Sequence, residues 1–140
     1  MSLLRPIRFG RAQEVRYNET VMSTEIQNQD AAGLFRRLAE RVVADLDKAW
    51  AHNLISVVLF GSVSRGRVKV DSDIDLLIVA DILPTGLFER GKLFEEAIVT
   101  AEIQRKELAP KGLHPFFSPI IKTRDEAAYH SPLYLDMVDD

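Results

Sequence analysis

The sequence predicts an α/β domain in which helices pack against a small sheet. Two observations carry this. Stretches with apolar residues three and four apart alternate with short, β-branched apolar runs. The order that results is helix, strand, short helix, strand, helix, strand, helix, the alternation of an α/β architecture. A chain of 140 residues has room for one such domain.

Residues 1–28 carry Arg5, Arg8, Arg11 and Arg16 among polar residues without a sustained period. They read as a flexible N-terminal arm, leaving 29–140 as the domain. Met22, followed by Ser23-Thr24, also reads as a translation start, which would put residues 1–21 outside the native protein. Asp30 is the expected N-cap of the first helix. Phe35, Leu38, Val42, Leu46 and Ala49 supply its apolar stripe.

Leu54–Phe60 is short and nearly all apolar, as suits a strand covered on both faces, and Ile74–Ala80 repeats the pattern. From about Leu87 to Leu108 one helix is expected, with Phe94, Ile98 and Ala101 on its apolar face and Pro110 and Gly112 ending it. Phe116–Ile121 is a third strand. Thr123-Arg-Asp-Glu126 has the form of a capping box, and Ser131-Pro132 suits the start of one more turn.

Composition narrows the function classes. Apolar residues make up 46% of the chain and charged residues 28%, ordinary values for a globular protein. The formal net charge of −3 argues against an extended nucleic-acid surface. With no cysteine, thiolate metal sites, disulfides and cysteine nucleophiles are excluded. No apolar run is long enough for a membrane span, and the first residues lack the apolar core of a secretion signal, so a cytoplasmic protein is expected. His52, His114 and His130 lack metal-ligand spacing.

The chemistry is concentrated between the first two strands. Gly61-Ser62 follows the first strand directly, and glycine lets the backbone turn sharply and come close to a ligand. A short helix opening there would aim its N–H groups and dipole at an anion, with the Ser62 hydroxyl as a further donor. Arg65, Arg67 and Lys69 add positive charge nearby. Asp73 and Asp75, at i and i+2, share one face of the second strand about 7 Å apart. Two carboxylates of this kind suit Mg²⁺, which also takes waters and substrate phosphates. Each part also has a plain structural reading: a turn, a solvated Asp-Ser-Asp, a solubilising basic face. The combination at this spacing is what points to a metal–polyphosphate site.

Gly61-Ser62, ten intervening residues and Asp73-Ile-Asp75 resemble the signature of the DNA polymerase β-like nucleotidyltransferases, in particular their minimal branch. The resemblance covers residues from about 30 to 130 and implies the nucleotidyltransferase fold, a small mixed sheet with the phosphate site at its edge. It implies Asp73 and Asp75 as catalytic metal ligands for Mg²⁺, two ions in active members, and Gly61, Ser62 and Arg65 as phosphate-binding residues for a nucleoside triphosphate, ATP. A nucleoside monophosphate, AMP, would pass to a hydroxyl of an unknown acceptor. One implied acceptor is a helical HEPN-type partner protein, with this chain as the antitoxin of a toxin–antitoxin pair.

The family's third carboxylate is missing from Pro115–Ile121, where Ser118 occupies or neighbours its place. Asp125, Glu126 or an acid from a partner are the candidate substitutes. The alternative is a catalytically weak or inactive nucleotide-binding or partner-binding module of the same fold.

Overall fold

The computed structural model describes residues 7–9 and 23–128, with side chains from residue 30 onward. The sheet has four strands in the order β1 (Ile7–Phe9), β2 (Leu54–Phe60), β3 (Asp73–Ala80) and β4 (Phe116–Thr123). β1 runs parallel to β2, β2 antiparallel to β3, and β3 parallel to β4, so the sheet is mixed. The helices are α1 (Ser23–Trp50), α2 (Gly61–Ser64), α3 (Leu87–Ala97), α4 (Val99–Lys106) and α5 (Arg124–Ala127).

The core lies between one face of the sheet and the helices. Phe35, Leu38, Val42 and Leu46 bury the α1 stripe, while Ala49, expected to continue it, is exposed near the helix end. Against them stand Val57 and Leu59 from β2, Ile74, Leu76 and Ile78 from β3, and Phe94 and Ile98 from the α3–α4 side. Alternation sends Asp73 and Asp75 to the opposite face. Leu77 and Val79 on that face are buried as well, so β3 is covered on both sides beyond Asp75, as its apolar run requires. Pro119 is tolerated in β4 because, among the described residues, this strand is the outer one and pairs with β3 alone.

Three elements depart from the sequence reading. α1 begins at Ser23, with Asp30 inside it, since Glu25–Gln29 contains no glycine or proline to stop a helix. Three residues of the expected arm, Ile7–Phe9, form β1. The expected helix from Leu87 to Leu108 is two helices that meet at Ile98. Its second half is capped from a distance: buried Asp45 of α1 accepts a hydrogen bond from Ala101 N at 2.8 Å, and Arg41 holds the same carboxylate at 3.0 Å. Ala101 lies in the first turn of α4, where N–H groups have no helical acceptor. The Ser131-Pro132 turn lies outside the described residues. Among the described residues no helix is long and apolar enough to cross a membrane.

Candidate functional site

β2 delivers the chain into Gly61, whose φ of +77° lies in the left-handed region. The expected short helix is present as α2, opening at Gly61 rather than Ser62, with extended Phe60 as N-cap and no capping side chain. The turn is closed by its own backbone: Arg65 N donates to Gly61 O at 3.2 Å and Arg67 N to Ser62 O at 2.9 Å. From α1, Arg36 Nη2 reaches Ser64 O at 3.4 Å. Ser62 is half-buried and the Arg65 side chain is exposed.

The antiparallel register sets Phe60 opposite Asp75. The next residue, Gly61, therefore lies against the Asp75 side chain. A Cβ on Gly61 would stand 3.1 Å from Asp75 Cγ and closer still to Oδ2. Asp75 is half-buried, and Asp73, at the first position of β3, is exposed. The loop entering β3 is pinned, with Lys69 N donating to Ser72 Oγ at 2.7 Å and Ser72 N returning to Lys69 O at 3.2 Å. Gly61, Ser62 and Asp75 thus come together, with Asp73 on the same face of β3.

On the other side of β3, Phe116 pairs with Asp73 and Ser118 with Asp75. Phe117 turns to the core and packs edge-on against Phe94, with ring centroids 6.4 Å apart. Phe116 is 55% exposed, and the Arg105 guanidinium lies 5.5 Å from its ring centre. The Arg105–Phe116 pair was not legible in the sequence; only the charge of one and the ring of the other were.

Asp125 and Glu126 do not substitute for a third acid. Thr123, where α5 is capped, is five residues past Ser118 in β4, about 16 Å along the strand. Both acids follow it, at the opposite end of the sheet from Asp75. Glu126 is also engaged. It closes the capping box through Thr123 N at 2.8 Å and pairs with buried Arg90 at 2.7 Å, while Arg90 also donates to Pro84 O and Ile121 O. The Arg90 hydrogen bond first, and the Thr123 backbone second, hold its carboxyl at about 2, far below the usual carboxylate range.

Backbone donors at the turn would attract an anion, while the neighbouring carboxylates would repel it. A divalent cation between them satisfies both, and two hard carboxylates fit Mg²⁺ carried in with a polyphosphate. Among the described residues no group of three or more His, Cys, Asp or Glu side chains forms a ligand set. Asp73 and Asp75 are the acids that would hold such an ion, with phosphate oxygens and water as its other ligands.

The family model that matches this chain is the nucleotidyltransferase domain, over residues 39–130. The chain belongs to that family. The match takes in the Gly61 turn, both acids of β3 and all of β4, and makes the protein a nucleotidyltransferase, a transferase of nucleoside monophosphates. Among curated proteins it is similar to one from Methanocaldococcus jannaschii, 29% identical over 99 residues, covering 63% of this chain and 67% of the relative. That relative bears the name "Putative protein adenylyltransferase". No solved structure matches the nucleotidyltransferase.

Proposed function

We propose that this nucleotidyltransferase moves AMP from Mg²⁺–ATP to a hydroxyl group of a protein acceptor. The observation that carries the reading is the missing Cβ of Gly61, which leaves the phosphate turn and the Asp75 carboxylate adjacent. Asp73 and Asp75 would hold the metal, which neutralises charge on the reacting phosphates when bound. The Gly61 backbone and the Ser62 hydroxyl hold the β- and γ-phosphates, and Arg65 adds positive charge beside them. The acceptor hydroxyl gives its proton to water as its oxygen attacks the α-phosphorus in line, the bond to the β-phosphate oxygen breaks, and pyrophosphate leaves. In-line geometry sets the acceptor opposite the leaving group. With pyrophosphate on the β2 side, the acceptor comes over β4, beside Ser118.

The protein acceptor is taken from the name of the archaeal relative. A HEPN-type helical partner, with the pair acting as toxin and antitoxin, is one concrete form of it, and a cytoplasmic setting goes with that reading. The second reading, a weakly active or inactive binding module, is favoured by one observation: Ser118 stands in register with Asp75 where an acid would take the acceptor's proton. Incubation with ATP labelled at the α- or the γ-phosphate, with and without the product of a neighbouring gene, separates the two. Transfer predicts that only the α-label becomes fixed to protein. Label fixed from the γ-position, or none under any condition, contradicts it.

A further inference from the structure

A cleft of about 560 Å³ is bounded by α1, by residues 68–70 of the loop that joins Ser64 to Asp73, and by the lead-in of β4. Neither Gly61 and Ser62 nor Asp73 and Asp75 are among the residues that line it. Three cations from three different elements meet there: Arg37 of α1, Lys69 of the loop, and Lys111 ahead of β4. All three are exposed, and none makes an ion pair with another described residue. Among the described residues Asp30 is the one acid in the lining, so these side chains give the cleft an excess of two positive charges, in a chain whose net charge is −3. The remaining wall is aliphatic, made chiefly of Leu34, Val68 and Leu113.

Gathering three like charges around one hollow is unfavourable unless something offsets their repulsion. Elsewhere in this protein arginines near acids are paired: Arg41 with Asp45, Arg90 with Glu126, Arg105 with Glu102, Arg124 with Asp81. The cleft is also preformed. The Ser72 hydroxyl accepts from Lys69 N while Ser72 N donates to Lys69 O, and Val70 O accepts a hydrogen bond from His114 N at 2.6 Å, tying the loop wall to the lead-in of β4. Its volume falls within the range of small-molecule sites.

We propose that this cleft is a second binding site, for a small organic phosphate, with the phosphate between Arg37, Lys69 and Lys111 and the organic part on the aliphatic wall. The site is separate from the metal acids and needs no metal. It does not depend on the transfer reading.

The test uses phenyl phosphate and inorganic phosphate at pH 8, where both are dianions, with EDTA present and binding read by calorimetry. The expected result is saturable binding of phenyl phosphate, about tenfold tighter than inorganic phosphate because the ring adds buried apolar area. Arg37→Gln/Lys111→Gln should abolish it, and Gly61→Ala, which alters the turn at the metal acids, should leave it intact. Circular dichroism checks that each variant is folded, and Lys69→Gln alone, on a surface loop, should weaken binding without affecting the fold. Equal affinity for the two phosphates, binding that survives the double substitution, or binding lost in Gly61→Ala would overturn the proposal. So would no binding of either probe at millimolar concentration.

Discussion

Replacing Gly61 with alanine separates two properties of the phosphate turn. At φ +77° an alanine pays about 1–2 kcal/mol for the left-handed backbone. Its Cβ would also lie 3.1 Å from Asp75 Cγ, so Asp75 must leave its rotamer, at about 1 kcal/mol more. The sum, about 2–3 kcal/mol, corresponds in a domain of this size to a fall in Tm of about 6–12 °C. Gly112 provides the control. It has the same φ of +77°, but nothing lies within 4 Å of where its Cβ would be. Gly112→Ala should therefore show the backbone part of the loss and leave Mg²⁺–ATP affinity unchanged. Gly61→Ala should lower that affinity more than tenfold, because Asp75 is displaced and the backbone can no longer approach phosphate. Thermal melts and calorimetric titration measure both quantities. If Gly61→Ala binds Mg²⁺–ATP as the unaltered protein does, the turn is not a phosphate cradle.

Other outcomes follow from the strand register and from the Arg90–Glu126 pair. Ser118→Asp restores a carboxylate opposite Asp75 and should raise α-label transfer; a fall in transfer, with ATP binding intact, would show that Ser118 does not face the reacting centre. Glu126→Gln should leave transfer unchanged, since Glu126 lies at the far end of β4, and a large loss of activity would reinstate it as a metal ligand. The Glu126 carboxyl lies at about 2 in the fold against an ordinary 4.5. It therefore contributes stability that is complete above pH 4.5 and disappears as pH falls toward 2. Urea midpoints should drop across that interval in the unaltered protein and drop less in Glu126→Gln. Parallel curves would remove Arg90–Glu126 as a stabilising pair.

Much of the fold was legible because local chemistry agrees with it. β2 spans the residues its apolar run marks out, and the Thr123–Glu126 capping box is present as written. β3 starts one residue before the apolar run, because Asp73 is held by pairing with Phe116, which no local pattern records. The break at Ile98 was hidden for the same kind of reason. The residue that caps α4 is Asp45, 56 positions earlier, and a periodicity window cannot see it. β1 is too short, at three residues, for alternation to show. In the candidate site, the approach of Gly61 to Asp75 follows from the strand–turn–strand order that the sequence shows. That order could not tell where Glu126 goes, which depends on Arg90 and on the length of β4. Nor could it show that Arg37, Lys69 and Lys111 share one cleft.

Asp73 and Asp75 are proposed to carry the metal of a bound nucleoside triphosphate. The most direct measurement of this is equilibrium titration of ATP into the protein with Mg²⁺ and with EDTA, repeated on Asp73→Asn/Asp75→Asn. Asp73 is exposed and Asp75 is half-buried, both near the start of β3, so the variant should fold. The account predicts Mg²⁺-dependent binding in the unaltered protein and its loss in the variant, together with loss of the Tm increase that binding confers. Mg²⁺-dependent binding of equal strength in both proteins would contradict it.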